Sequence, residues 1–556
     1  MPQLFQEGLD DPLVFDGQES FVGGMLSNAR ASSLDQTQAS YLQNVICDRP
    51  GVVRSRYGIV EVGTFPSTDP GIDYEIAQLL SYLRQGAGQF PILTALTFPD
   101  NSGDVTFAKL TGGTWTSVAV VATAGLSAPV GTPTMTQAGD SVYVAIGKTL
   151  DLRKWDGTTF SVCTAGAPAK PPAGGIVCYA TSRLFIAGLE DEPDAVYIGD
   201  IGPVGATLEN FGGPGTTAGL SGQVRVGTGA DGRIVALLPW TGTNVLVFKQ
   251  SAIYVIAADP AIPVAEWIIQ RITKSVGCIA PRTVAQLGDD VLFLGADGVY
   301  SIARVIASEK QGTVNLPISW PIQDRFEVEP FGNTANAIDS LWSAVTYQGR
   351  YILATPISFR GVPVPGVLPT PYALVYNQKL EAWEGVWLSD ALDGYAFNAT
   401  CWTLHEDRLY MGCPGPAVRV YADYLGGQQY ADYAGGLAEA ITKVVRTRGL
   451  IFGEPFNPKK GSLCRVEMRD CCTDALVKLY ANGYPLPRDT VGTVTISPLP
   501  IPPVFKGTIM RTFDLQRFAN FNEAIVEVSA TAPSSFGLAG IGLGAWLETM
   551  PLEKLD

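Results

Sequence analysis

DDVLFLGADGVYSI, residues 289–302, decides how this chain is read. Four apolar residues run from Val291 to Leu294, a small turn ends in Asp297-Gly298, and a second short apolar run follows. Side chains of a strand alternate between faces, so Val291 and Phe293 share one face and Leu292 and Leu294 the other. Asp-Gly between two such runs signals a type I′ hairpin, in which both turn residues take positive φ. The preceding TVAQLGDD reads as a strand and turn leading in, which makes the unit strand, turn, hairpin.

The unit returns six more times. PILTALTFPDNSGDVTFAKL begins at Pro91, SVYVAIGKTLDLRKW at Ser141, RLFIAGLEDEPDAVYIGD at Arg183 and NVLVFKQSAIYVI at Asn244. RYILATP, from Arg350, pairs across a Pro-rich loop with PYALVYNQKLEAW, and RLYMGCPGPAVRVYAD begins at Arg408. Several are led in by a strand-like run, as in TMTQAGD, AVTYQGR and CWTLHEDR. A lone hairpin is marginal in water and must stack on neighbours to bury its apolar faces. Four-stranded units recurring every 40 to 60 residues or so stack in closed form as a β-propeller; an open series of sandwiches is the alternative. The expectation is an all-β chain with a divergent six- or seven-bladed β-propeller over residues 74–425, lacking WD or kelch signatures. Closure by the segment before residue 74 is left open.

After about residue 440 the texture changes. ITKVVRTRGLIF, SLCRVEMRD, ALVKLYANG, GTVTISPL, GTIMRTFDL, NEAIVEVSA and GLGAWLETM are strand-like runs without the blade plan, expected as a linker and C-terminal β-sandwich over 426–556. Residues 1–73 form an N-terminal extension or docking segment. In it LDQTQASYLQNV (34–45) reads as a short helix running into the strand-like GVVRSRYGIVEVG.

Composition agrees with a folded β-rich protein. Hydrophobic residues make up 46% and charged residues 16%, against a usual charged share of about 25%. Gly (61) and Pro (39) supply turns between short strands. Thirty-eight basic and 53 acidic side chains give −15, the opposite of the balance expected for gripping nucleic acid. MPQLFQEGLDD has neither the basic nor the apolar region of a secretory signal. No apolar run approaches the roughly 18 to 20 residues that span a bilayer, so no membrane span and synthesis in a cytoplasm are expected.

Catalytic motifs are scarce. His405 is the one histidine, read as a solvated residue in the turn LHEDR, so a second imidazole for a metal site or a Ser-His-Asp arrangement is missing. HExxH, GxSxG and the Walker A pattern do not occur. GTGADG (227–232) matches G-x-G-x-x-G, but RIVALLPWTGTN after it reads as a strand where the dinucleotide fingerprint needs a helix, so a blade turn is expected. GLEDEPD (188–194) lacks the spaced order of a calcium loop and reads as solvated. Carboxylate pairs from distant segments stay open. Cys47, Cys163, Cys178, Cys278, Cys401, Cys413, Cys464, Cys471 and Cys472 show no CxxC or paired zinc spacing and read as reduced thiols. No enzyme activity, cofactor or metal is expected.

One charge feature stands apart. Between Lys443 and Lys478 eight basic residues face four acidic ones, +4 within a chain of −15, leaving −19 on the remainder. A solvated face is one reading. The other is docking to an acidic neighbouring subunit or nucleic acid, with Arg446, Arg448, Lys459, Lys460, Arg465 and Arg469 as candidate interface residues.

Four stretches resemble the β-propeller nozzle or tail stabilisation proteins that plug the lower end of short bacteriophage tails. These are FVGGMLSNARASSLDQTQASYLQNVICDRPGVVRSRYG (21–58), RLFIAGLEDEPDAVYIGDIGPVGATLENF (183–211), the blades within 244–302, and TRGLIFGEPFNPKKG (447–461). The resemblance implies a structural virion protein of a phage tail with no catalytic residues. It implies a homo-hexameric ring below the portal, contacting tail adaptor and tail fibre or spike proteins. Such a ring surrounds the DNA exit channel, retains the genome and lets it pass at ejection without sequence-specific binding. Neck and tail-tip propellers share these features. An acidic channel wall would fit, since each Lys/Arg–phosphate contact adds affinity that must be broken. The basic stretch would then face protein. The alternative is a carbohydrate-binding or receptor-binding tail propeller, which would call for Trp, Asp and Arg clustered on one face. Of the ten Trp, only Trp383 and Trp387 lie close in sequence. A host scaffold propeller ranks last.

Overall fold

The computed structural model describes residues 13–49, 51–64, 76–84, 90–97, 104–122, 133–147, 150–163, 170–202, 208–212, 220–325, 342–355, 372–388, 397, 399–413, 417–423, 430–434, 437–453, 457–471, 473–482, 489–495, 508–515 and 521–547. Among them the chain is all-β in many small sheets, with one α-helix. Each of the seven hairpins found in the sequence supplies the second and third strands of an antiparallel sheet. In chain order the sheets span residues 76–122, 134–162, 176–225, 234–273, 285–301, 343–388 and 401–421.

The second strands, such as Arg183–Ala187, Asp290–Gly295 and Arg350–Ala354, are buried nearly end to end. Their two faces enter different cores, which is why they read as unbroken apolar runs. Leu184 and Ile186 pack with Tyr143 and Leu152 of the second sheet, while Phe185 packs with Val247 and Trp267 of the fourth. Val291 and Phe293 likewise meet Phe248 of the fourth sheet, and Leu292 and Leu294 meet Tyr351 and Leu353 of the sixth. This order continues from sheet to sheet. Ile352 and Val375 pack on Leu409 and Met411, and Cys401 and Tyr410 of the seventh sheet pack on Leu79 and Leu93 of the first. Side chains on or just before the first strands bridge neighbours as well: Gln78 accepts from Met135 N at 2.6 Å and donates to its carbonyl at 3.0 Å, and Thr400 Oγ1 donates to Ile76 O at 2.5 Å.

Type I′ geometry occurs between first and second strands. Thr181-Ser182 (φ 49° and 60°), Gln348-Gly349 (49° and 74°) and Glu406-Asp407 (49° and 60°) place both turn residues in the left-handed region, matching the strand twist. The expected type I′ turn at Asp297-Gly298 is not formed. Gly295 pairs with Gly298, so the turn residues are Ala296 and Asp297, and Gly298 has φ 149°. That backbone conformation is one side chains rarely adopt, and a Cβ at Gly298 would also lie 2.3 Å from Ser319 Oγ, so glycine is favoured there although the type I′ turn is absent.

The fifth sheet has three strands and continues into the α-helix Ile302–Gln311. Ser301 caps its start by accepting from Arg304 N, and Gly312 ends it at φ 67°, the residue types those two positions favour. In the seventh sheet the fourth strand comes from far upstream: Ile59–Thr64 pairs antiparallel with Ala417–Tyr421.

Residues 34–45 correct the expectation of a helix. Tyr41–Gln43 is a strand between Ala382–Leu388, parallel to it, and Leu437–Arg446, antiparallel to it. It therefore joins the sixth sheet to Leu437–Arg446, Ala524–Ala532, Ala475–Ala481 and Asp489–Val494 in one continuous ten-stranded sheet, called here the joining sheet. Asn44, directly after it, turns the chain at φ 56°, where asparagine is tolerated better than most residues. A second, terminal sheet holds Val45–Arg49, Val52–Ser55, Gly537–Leu547, Lys459–Arg469 and Thr508–Asp514, with Leu13–Gln18 on Gly537–Leu547. Each of the seven strand-like runs read after residue 440 contributes residues to a strand, and the two sheets bury Cys464, Val466, Met468, Leu479, Val526 and Leu543 between them.

The segment read as an N-terminal extension is thus divided among three sheets. Buried ion pairs fix it. Arg56 donates to Asn44 Oδ1 (2.8 Å), Tyr57 O (2.8 Å), Leu388 O (2.8 Å) and both oxygens of Asp432 (2.9 and 2.7 Å). All five N–H donors of the guanidinium are used. Glu384 likewise accepts from Arg350 Nε (2.6 Å), Asn377 (2.6 Å) and Cys47 N (3.2 Å).

Candidate functional site

The six candidate interface residues separate by strand alternation and by partner. Lys459–Arg469 lies in the terminal sheet with Cys464, Val466 and Met468 facing the core, so Arg465, Glu467 and Arg469 face outward. Lys460, Arg465 and Arg469 are exposed and form no ion pair among the described residues. Beside them Gly540 and Gly542 of Gly537–Leu547 pair with Glu467 and Arg465, which leaves that neighbouring surface as bare backbone. Phe15, 65% exposed, and Met510, 42% exposed, stand on flanking strands of the same sheet.

The other three are engaged within the chain, Lys459 and Arg448 buried and Arg446 half-buried. Lys459 is fully buried and donates to the carbonyls of Asn457 (2.8 Å) and Asn522 (2.9 Å). Arg448 is buried, pairs with Asp16, and donates to Gly449 O. Arg446 pairs with Glu527 at 2.7 Å and lies over the rings of Tyr41 and Tyr480. Lys478 also reaches Glu527, at 3.2 Å. Burial opposes the charge on Glu527, but the hydrogen bonds from Arg446 and then Tyr480 outweigh it and hold the carboxyl below its ordinary range. The stretch therefore divides: Lys459 and Arg448 are internal structure, which corrects the expectation of a solvated or docking face for them, Arg446 is tied down within the chain, and Lys460, Arg465 and Arg469 form an exposed row.

Other singled-out residues also have definite places. His405 corrects the expectation of a solvated turn. It ends the strand Cys401–His405, is 8% exposed, packs edge-on against Tyr410, and shares a 2.9 Å hydrogen bond between Nδ1 and Ser81 Oγ of the first sheet. Desolvation lowers its pKa, with Glu406 opposing that shift and Arg408 adding to it. GTGADG forms a three-residue 3-10 turn followed by the strand Ile234–Pro239. Lys249 props the turn from within by donating to Val226 O (3.0 Å) and Thr228 O (2.8 Å).

In GLEDEPD, Glu192 and Asp194 pair with Arg225 at 2.8 and 3.2 Å. No group of three or more His, Cys, Asp or Glu positioned for a metal ion occurs among the described residues. Cys472 lies outside the described residues, and the other eight cysteines are buried and form no disulfide among the described residues. Burial pushes the thiols of Cys178, Cys401 and Cys464 up to about 12. Trp383 and Trp387 are core residues, their indole N–H groups donating to Ile318 O and Val45 O. No helix among the described residues is long and apolar enough to cross a membrane.

No protein-family profile matches the chain, and no curated protein is similar to it. Solved structures resemble it weakly. The extracellular domain of the hybrid two-component system BT3049 of B. thetaiotaomicron has a TM-score of 0.37 at 9% identity, over 66% of this chain and 41% of that one. PorZ, a surface component of the type-IX secretion system of Porphyromonas gingivalis, has 0.32 at 10%, over 73% and 44%. The extracellular domain of BT4673, also of B. thetaiotaomicron, has 0.38 at 10%, over 88% and 62%. The chain spans less than two thirds of the length of each, and none of these likenesses carries a function to it.

Proposed function

We propose that the seven sheets form a closed seven-bladed β-propeller, fused to a C-terminal β-sandwich, and that the protein is a structural component of a bacteriophage tail. In this reading it is a nozzle subunit, assembled as a hexameric ring around the DNA exit channel. Support for closure comes from the cyclic order of the cores, the last of which joins Tyr410 to Leu79 and Leu93, and from Ile59–Thr64 completing the final sheet. A strand from one chain end in the sheet built by the other locks a circular array without a free edge.

The observation that carries the structural role is the stitching by the N-terminal segment. Tyr41–Gln43 makes the sixth sheet and the sandwich one hydrogen-bonded surface, and Leu13–Gln18, Val52–Ser55 and Ile59–Thr64 tie into both lobes. Such a chain resists relative movement of its parts, which suits a plug that holds a packed genome. The row Lys460, Arg465 and Arg469 then docks against an acidic neighbouring subunit or adaptor. The surface facing DNA is left to the acidic remainder, whose repulsion acts only within about 8 Å at physiological salt and so only in a narrow channel.

Immunogold labelling of phage-like particles from the source organism, imaged by electron microscopy, tests this. Label confined to the lower end of the tail is expected. Label at the neck would move the subunit upward, and unlabelled particles would sink the virion assignment.

A further inference from the structure

We infer that the outer face of the joining sheet carries a binding trough for a short neutral oligosaccharide. The inference rests on the trough alone and stands or falls apart from the virion reading. The trough, about 410 Å³, crosses four strands, Leu437–Arg446, Ala524–Ala532, Ala475–Ala481 and Asp489–Val494. That volume lies within the roughly 300–1,000 Å³ of small-ligand sites. From Glu527 to Thr531 along one strand it is about 13 Å long, at the ordinary rise of 3.3–3.4 Å per residue, enough for two or three sugar rings.

Its lining selects the ligand class. Thr442, Thr493, Ser529 and Thr531 put hydroxyls into it, and Val444 and Leu476 give aliphatic ground between them. Thr442 and Thr531 share a 2.8 Å hydrogen bond at one end. The hydroxyls of Ser529 and Thr493 have no protein partner among the described residues and are open to a ligand. At the other end Arg446 and Lys478 are both turned onto Glu527. With Asp474 also on the wall, carboxylates stand beside the lysine, so an anion finds no wholly cationic seat. Among the described residues the large apolar side chains that stay exposed on the sandwich, Phe15 and Met510, are on the terminal sheet, so the described part of this face does not present the anchor that an apolar peptide would need. A pyranose, with hydroxyls around its edge and C–H groups on its faces, matches alternating hydroxyl and aliphatic ground.

Saturation-transfer-difference NMR on the full chain, with lactose, cellobiose, maltose and diacetylchitobiose as probes and a sulfated disaccharide as the anionic control, tests the assignment. At least one neutral disaccharide is expected to give a saturable signal. Ser529→Trp, which fills the trough, should weaken binding at least tenfold. Thr531→Val, on an exposed position that leaves the fold intact, should weaken it about threefold. The inference is overturned if none of the four sugars gives a signal, if Thr531→Val and Ser529→Trp both leave the signal unchanged, or if the sulfated disaccharide binds more tightly than every neutral one.

Discussion

Arg56 and Asp432, 376 residues apart in sequence, form a bidentate ion pair at 2.9 and 2.7 Å with both side chains buried. The pair joins the N-terminal segment to the chain that leaves the seventh sheet, and Asp432 also accepts from Ile59 N at 3.1 Å. It sits where Ile59–Thr64 begins to pair, so it fixes that strand's entry. Removing one partner of a buried pair leaves the other charge uncompensated, at a cost of about 3–5 kcal/mol. Asp432→Ala should therefore lower the urea midpoint strongly. Arg56→Met, which also strands the acceptors Asn44 and Leu388, should do the same. A midpoint shift equivalent to less than about 1 kcal/mol in both, the worth of a surface pair, would show that the N-terminal strand is held by its backbone ladder alone.

Gly58 makes the adjoining prediction. Its backbone runs so close to the chain at Ala431 that a Cβ would fall 1.7 Å from the Ala431 carbonyl oxygen, while its own carbonyl accepts from Ala422 N at 2.9 Å. Nothing flexible stands in the way to yield, so the backbone itself must move. Gly58→Ala is expected to destabilise by about 1–3 kcal/mol or more, the cost of overpacking. It should also raise hydrogen exchange in Ile59–Thr64 and Ala417–Tyr421 above that in the third sheet. Uniform exchange across both regions would separate Gly58 from the closure.

What could be read from the sequence followed how local each signal was. The hairpins were legible because their strands are buried on both faces and their partners lie within about twenty residues, as in Arg183–Ala187 and Ala195–Ile198. Tyr41–Gln43 was not: three residues long, it is a strand only because Val386 and Val444–Arg446 flank it, and its polar neighbours mimic a helix surface. The basic stretch was legible as a charge excess but not as a site. Asp16 and Glu527, which consume Arg448 and Arg446, lie 432 and 81 residues away from them. Alternation along Lys459–Arg469 did carry the signal that Arg465 and Arg469 face opposite to Val466 and Met468. His405 was misplaced because a charged Glu406-Asp407 turn beside it suggests solvent, whereas its ring reaches back to Ser81 on another sheet.

That His405–Ser81 contact makes stability depend on pH. Burial favours the neutral imidazole, so the folded state has the lower pKa and the unfolded chain binds more protons as pH falls below about 6.5. The contribution is fully present above that unfolded value and is lost as pH falls through the folded pKa. Wild-type protein should lose melting temperature between pH 7.5 and 5.0 more steeply than His405→Gln. The difference should appear first as exchange at Ile76–Tyr82 and Cys401–His405, the two strands the contact joins. Parallel melting curves for the two proteins would remove His405 from the acid response.

The division within the basic stretch predicts two opposite phenotypes. Lys460, Arg465 and Arg469 are exposed and unpaired among the described residues, and surface substitutions of that kind change stability by about 0.5 kcal/mol or less each. Reversing all three to Glu should leave the melting temperature within a few degrees but abolish incorporation into particles, because the face would then repel an acidic partner. Arg448→Glu, by contrast, would set a buried carboxylate against the part-buried Asp16 and should fail to fold. A milder test of the same face is salt: if the row docks by charge, release of the subunit from particles should rise with ionic strength, and the single variant Arg465→Gln should shift that release to lower salt. Normal incorporation of the triple variant would show that the row is only solvated.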